Sequence, residues 1–139
     1  DSSIVIRGTE GGIVPSLRQR VNAHFYRDGN DTDQVIEIEP NADLNLIQDV
    51  RAVKIPDNIQ KTKKIDKIET KVNPEEIAKE SLKLGVSALE GEKGPMRDCI
   101  ALSATLVLQH VTGNPVKDCF KEVNNILDSG SALKRFKQV

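Results

Sequence analysis

The sequence predicts an α/β domain in which three strands are followed by a helical cover. Residues 1–40 contain short apolar or alternating runs bounded by glycine, proline and polar turn residues, a pattern typical of strands. Residues 73–139 contain longer segments whose apolar residues recur three or four positions apart, which is helical spacing. Because the strands precede the helices instead of alternating with them, we expect a three-stranded remnant of a larger α/β sheet with helices packed on it.

The three predicted strands lie before Pro40. Residues 4–6 form an apolar run that ends at a glycine loop, and residues 21–27 alternate apolar and polar side chains. Residues 35–38 form the third apolar run. Residues 28–31, Asp-Gly-Asn-Asp, supply turn chemistry between the last two runs. These two strands are therefore expected to form an antiparallel hairpin.

Three helices are predicted after residue 72. Asn73 caps the first, whose opening turn holds a proline and two glutamates. Pro95 begins the second and Gly113 ends it, while the third follows Pro115 and stops before Gly130. The side chains expected in the core are Ile77, Leu82, Leu84 and Leu89 in the first helix, Cys99, Leu102, Leu106 and Val111 in the second, and Val116, Phe120, Val123 and Leu127 in the third.

Length and composition indicate a single domain over residues 1–139, with a core built from aliphatic side chains because aromatic residues make up only 3% of the chain. A net charge of −1 does not indicate a globally basic nucleic-acid binder. Cys99 and Cys119, without a CxxC pair or a secretory or membrane-spanning segment, predict reduced thiols in a cytoplasmic protein with no membrane association. With the isolated His24 and His110 they are too few and too scattered for a zinc site.

Two groups of motifs occur in order along the chain. In the first, a strand runs into Gly8-Thr9-Glu10-Gly11-Gly12, followed by Pro15-Ser16 and a second strand. In the second, Gly91-Glu92-Lys93-Gly94-Pro95-Met96-Arg97-Asp98 precedes an apolar helix and an amphipathic helix that ends in Leu127-Asp128-Ser129-Gly130-Ser131-Ala132-Leu133. This order resembles the C-terminal α/β portion of the anthranilate phosphoribosyltransferase family, a phosphoribosyltransferase-like domain of the glycosyltransferase family 3 type. Residues 42–72 are unmatched and are interpreted as a connector or insertion.

The resemblance implies a C-terminal fragment of a larger protein, a transferase of tryptophan biosynthesis. Such enzymes transfer phosphoribose from phosphoribosyl pyrophosphate to a small aromatic amine with magnesium, and the full chains form homodimers through a helical domain that is not in this chain. The diphosphate loop Gly-Thr-Gly-Gly-Asp and the Lys-His-Gly-Asn segment of the family do not occur in these 139 residues. The fragment alone is therefore expected to be inactive, with no catalytic residue, metal site or cofactor of its own.

The glycine loop, Gly8 to Gly12, is interpreted either as a structural turn or as part of an active-site wall. Family enzymes carry an Asp-Glu pair shortly after this loop that contributes magnesium ligands, and the alignment places Ile13 and Val14 there. Apolar side chains cannot supply the oxygen ligands that magnesium requires. This departure favours a second hypothesis, a non-catalytic paralogue that has lost the magnesium pair and binds nucleic acid or another anionic ligand.

Two further segments are candidates for anion binding. Lys61, Lys63, Lys64 and Lys67 belong to a segment of local charge +3, which is either a phosphate-binding patch for nucleic acid or a solvated connector or short amphipathic element. Its apolar residues, Ile65, Ile68 and Val72, recur at helical spacing. No aromatic residue lies between the lysines to stack bases.

The second segment is the loop at residues 91–95, which lies at a helix N-terminus beside Lys93. It either binds an anion or fixes the start of the helix. In the first helical turn, Arg97 and Asp98 are expected to cap the helix or to pair locally.

Overall fold

A computed structural model describes residues 2–6, 14–27, 30–54, 56, 63–65, 68–70 and 74–138. The elements in chain order are β1 (Ser2–Ile6), β2 (Val21–Arg27), β3 (Asn30–Ile38), α1 (Pro40–Leu44), β4 (Lys63–Ile65), β5 (Ile68–Thr70), α2 (Pro74–Leu89), α3 (Pro95–Thr112), α4 (Val116–Asp128) and α5 (Ser131–Phe136). The protein is thus a mixed α/β domain in which a three-stranded sheet precedes a set of helices, as the sequence predicts.

The main sheet has the order β1-β2-β3, and both pairings are antiparallel. The predicted hairpin of β2 and β3 is therefore confirmed. Alternation in β2 buries Val21, Ala23 and Phe25 on one face. The third strand begins at Asn30, not at Val35 as the apolar run indicated, because pairing with β2 continues through the polar residues 30–34. Ladder hydrogen bonds need only the backbone, so side-chain polarity did not reveal this part of the strand.

The main core lies between the sheet and α3. Leu102 and Leu106 of α3 are fully buried against Val21, Phe25 and Ile38 of the sheet. A second cluster, in which Ala101 of α3 meets Val123 and Leu127 of α4, joins these two helices. Burial of Leu102, Leu106, Val123 and Leu127 confirms the predicted apolar faces at these positions.

Two predicted core positions are wrong. Val111 is 72% exposed, and His110 takes the buried position instead, with its ring centroid 4.7 Å from that of Phe25. At about 100° per residue, Val111 lies about 140° around the helix from Leu106, whereas His110 lies only about 40° away. Leu82 is likewise exposed, because it lies about 120° around α2 from Ala88, the buried residue of this helix.

Residues 42–72 contribute more than a solvated connector. Leu44, at the end of α1, and Leu46 are both buried in the main core. Further on, β4 and β5 pair antiparallel with Ile65 opposite Ile68, so the helical spacing inferred for these two residues is wrong. Three apolar residues at spacings of three and four are too few to establish a helical period, and the third of them, Val72, lies outside the described residues.

The helices also show the state of the two cysteines and whether any helix could span a membrane. Cys99 and Cys119 are free thiols on α3 and α4, half-buried and buried respectively. Within the described part of the chain, no helix is long and apolar enough to cross a membrane.

Candidate functional site

A cavity of about 290 Å³ lies beside the N-terminus of α3. Its walls come from the loop of residues 50–54, from α2 and from residues 92–97. The lining is mainly aliphatic and includes Val53, Leu84, Ala88 and Met96. A smaller cavity of about 80 Å³ shares Val53, Leu84 and Met96 with the first and extends along α2 to Ile77. Together they form an elongated apolar space at the lower end of the size range of small-molecule sites.

The loop of residues 48–54 is anchored to both layers of the fold. Gln48 Nε2 donates to Asp98 Oδ2 of α3 at 2.7 Å, so Asp98 pairs across 50 residues and not locally as expected. On the side of the sheet, the N–H of Leu17 donates to the Arg51 carbonyl at 2.8 Å, and Arg18 Nη1 donates to the Asp49 carbonyl at 3.1 Å. These bonds hold the loop over the start of α3 and thereby form one wall of the cavity.

The start of α3 presents free N–H groups at this cavity. Gly94 is the N-cap with φ 146°, a backbone conformation that favours glycine, and it provides no side chain to cap the helix. Pro95 occupies the first helical turn, so the uncapped donors are the N–H groups of Met96 and Arg97. These groups carry the positive end of the helix dipole. The loop therefore fixes the start of the helix and at the same time leaves an electropositive end at the cavity.

Arg97 is the most buried charged side chain of the site, with 2% of its side chain exposed. Its Nη2 donates to Asp128 Oδ1 at 2.6 Å, a contact with α4 and not the local pairing expected from the sequence. Its Nη1 is buried and has no hydrogen-bond partner among the described residues. A buried guanidinium with one unsatisfied donor is costly, so the pair with Asp128 is what compensates for placing this charge inside the fold.

The Asp128 carboxylate forms ion pairs with both Lys93 and Arg97. Lys93 Nζ donates to the same Asp128 Oδ1 at 3.0 Å. The hydrogen bond from Lys93, reinforced by the charge of Arg97, holds the pKa of Asp128 below its ordinary value. Asp128 is therefore ionised at neutral pH, and it cancels only one of the two positive charges.

The charges around the cavity balance. Lys54 is exposed at the edge of the cavity, and Glu92 accepts a hydrogen bond from the Ser87 hydroxyl. Lys54, Lys93 and Arg97 are opposed by Glu92, by Glu80 of the smaller cavity and by Asp128 beside the lining. The site thus has no net charge.

The sequence-predicted site residues are only partly accounted for by the structure. The glycine loop, Gly8 to Gly12, and two of the patch lysines, Lys61 and Lys67, lie outside the described residues. Lys63 and Lys64 lie in β4, of which only the backbone is described. The predicted loop at residues 91–95, by contrast, contributes Lys93, Gly94 and Pro95 to the cavity.

Sequence reasoning missed the other two walls. The loop of residues 50–54 belongs to the unmatched segment, and in α2 the sequence assigns Leu84 to the core and gives Ala88 no role. The available signal was the recurrence of apolar residues at Val50, Ala52 and Val53 in a segment with no predicted helix or strand. Nothing local indicated that these residues would cover the start of α3.

Comparison with protein-family models gave no match to the chain, and comparison with curated proteins gave none either. Across the described residues, no three His, Cys, Asp or Glu side chains are grouped as metal ligands would be. The geometry defines a small α/β domain with an apolar cavity at a helix N-terminus.

Proposed function

We propose that this chain is the C-terminal α/β portion of an anthranilate phosphoribosyltransferase-like protein and is inactive alone. The whole protein would be built on a fold that transfers phosphoribose to an amine. The order of motifs supports this proposal, and so do the element bounds: α3 begins at Pro95, directly after the glycine-rich loop, and α4 ends at Asp128, directly before Ser-Gly-Ser-Ala-Leu.

The observation that carries the proposal is the outer face of the sheet. α3 covers only the face that bears Val21, Ala23 and Phe25. On the opposite face, His24 lies in register between Val5 and Val35, which are 52% and 46% exposed. An antiparallel sheet commonly has one polar face in water, and Ser3, Asn22 and Glu37 on this face fit that pattern. The two exposed valines beside His24 do not, and they support contact of this part of the sheet with further parts of a larger α/β domain.

Magnesium and phosphoribosyl pyrophosphate belong to the whole protein in this proposal. The position aligned with the second residue of the family's acidic pair is Val14, an aliphatic side chain at the surface. It offers no oxygen to a hard cation, so the described residues do not fit a magnesium site. Binding of the donor and of the aromatic amine would depend on the upstream motifs, and no catalytic step is assigned to this part of the chain.

A thermal-shift titration tests the catalytic side of this proposal. We expect phosphoribosyl pyrophosphate with magnesium to leave the melting temperature of the isolated chain unchanged, since a ligand stabilises a protein only when it binds the folded state. A saturable increase would contradict the view that the donor site lies outside these residues. Magnesium alone and pyrophosphate with magnesium are the matched controls.

A second function is favoured by Val14 and by the uncapped start of α3 at the cavity: a non-catalytic paralogue that binds nucleic acid or another anionic ligand. For nucleic acid the ligand-binding residues would be the patch lysines, and binding should weaken steeply with salt and on Lys63→Ala, Lys64→Ala and Lys67→Ala together. Lys121→Ala, an exposed lysine on α4, is the control. Nucleic-acid binding that is insensitive to both salt and the triple substitution would exclude the patch.

A further inference from the structure

We propose that two copies of this chain associate through β1, which pairs antiparallel with β1 of the second copy about a two-fold axis at Val5. The two three-stranded sheets then form one continuous sheet. This inference concerns the edge of the sheet and not its outer face, and it does not depend on either function proposed above.

The two edge strands of the main sheet, β1 and β3, differ in how they are protected. An edge strand presents backbone N–H and C=O groups that can pair with another strand, and charged residues or bulges commonly prevent this. β3 has both, since its sequence includes three acidic residues and its pairing with β2 is irregular between Phe25 and Arg27. β1 pairs regularly with β2 from Ser2 to Ile6 and contains no charged residue, proline or glycine. Among the described strands, β1 is therefore the edge that is open to a further strand.

The apolar side chains of β1 are incompletely covered on both faces of the sheet. On the core face, Ile4 and Ile6 pack against the main core and remain only half-buried. On the opposite face, Val5 is 52% exposed. A strand added at this edge contacts both rows, because directly opposed residues of an antiparallel pair lie on the same face with Cβ atoms about 4.5–5.5 Å apart. Burial of these side chains favours the added strand.

The sequence of β1 is compatible with a second copy of itself. With the two-fold axis at Val5, Ile4 of each copy lies opposite Ile6 of the other, and the two Val5 side chains face each other. All three pairs are apolar, and the core faces of both sheets lie on the same side. The nearest charged residues in the sequence, Asp1 before the strand and Arg7 after it, have opposite signs, so antiparallel copies bring opposite charges to each end.

The same symmetry is unfavourable at β3. Its sequence holds Asp31, Asp33 and Glu37, and like charges that face each other across two strands are destabilising. The second copy is therefore expected at β1. Because few residues pair in each copy, the association is weak and depends on concentration.

Sedimentation velocity of the intact chain tests the proposal. Between about 10 μM and 1 mM, the range of a small and weak interface, we expect a reversible shift from monomer to dimer. A monomer at every concentration would overturn the proposal.

Substitutions at Val5 locate the interface. Val5→Lys and Val5→Glu each place two like charges opposite each other at the two-fold axis, so each should weaken dimerisation by about tenfold or more. Mixed in equal amounts, the two variants should form a heterodimer, whereas the β-branched and uncharged Val5→Thr should retain the homodimer. A mixture that stays monomeric would overturn the register.

Val35→Lys is the matched control. Val35 lies on the same face as Val5, on the other side of His24, and is 46% exposed, but it belongs to β3. This variant should dimerise as the unsubstituted chain does, and equal weakening by Val5→Lys and Val35→Lys would overturn the assignment to β1. Amide NMR spectra of the unsubstituted chain provide a readout that needs no substitution. The signals of Ile4, Val5 and Ile6 should shift with concentration, and shifts confined to other regions would contradict the proposal.

Discussion

Leu106 of α3 tests whether the contact of this helix with the sheet stabilises the fold. The side chain is fully buried in the main core beside Leu102 and Phe25. Leu106→Ala removes three carbon atoms, worth about 2.4 kcal/mol at about 0.8 kcal/mol each. The cavity left behind adds to this cost, and the better helix propensity of alanine returns about 0.2 kcal/mol. We therefore expect a loss of about 3 kcal/mol in the free energy of unfolding.

Val107, the next residue on the same helix, is the matched control. It is half exposed, so Val107→Ala loses about 0.8 kcal/mol of burial and regains about 0.5 kcal/mol of helix propensity. The net change should stay within about 0.5 kcal/mol. Urea denaturation followed by far-ultraviolet circular dichroism measures both changes, with the slope m required to remain constant. Equal effects of the two substitutions, or a loss below about 1 kcal/mol for Leu106→Ala, would refute the packing of α3 on the sheet.

Two further predictions concern the site. Because the hydrogen bond from Lys93 lowers the pKa of Asp128 in the folded state, the pair contributes stability above the unfolded pKa of about 3.9, and this is lost as the pH falls through the lower folded pKa. Urea midpoints between pH 5 and pH 2 should therefore fall more steeply for the unsubstituted chain than for Asp128→Asn, and parallel curves would contradict this linkage. Gly94→Ala should destabilise the protein by about 1–3 kcal/mol because φ at this residue is 146°, whereas Gly85→Ala within α2 should stabilise it by about 0.5–1 kcal/mol. Thermal melts of these two variants that shift in the same direction would argue against the cap at Gly94.

Strands and helix bounds were predicted best where a local sequence pattern determines them. Alternation from Val21 to Phe25 was enough to place β2 and its buried face, and Pro95 and Gly113 marked the bounds of α3. Periodicity was less reliable near helix ends: His110, a polar residue, occupies the core position that hydrophobicity assigned to Val111. Helical geometry places residue 110 on the buried face of α3 beside Leu106, whereas hydrophobicity alone favours Val111. The position around the helix, and not the residue type, decides which of the two is buried.

The candidate site was harder to predict because its contacts are distant in the sequence. The loop at residues 91–95 was recognised from its glycines and its position before a helix. Its partners were not, because the pair of Arg97 and Asp128 spans 31 residues and the pair of Gln48 and Asp98 spans 50. A polar residue carries no local mark of a partner on another element, so burial of Arg97 emerges only from the packing of α3 against α4.

The coding DNA upstream of Asp1 provides the most direct test of the central claim, that this chain belongs to a phosphoribosyltransferase-like protein. We expect an open reading frame that encodes a Gly-Thr-Gly-Gly-Asp diphosphate loop and a Lys-His-Gly-Asn segment, or recognisable degenerate forms of both in a non-catalytic paralogue. A start codon directly before Asp1, or an upstream sequence with no counterpart of either segment, would contradict it.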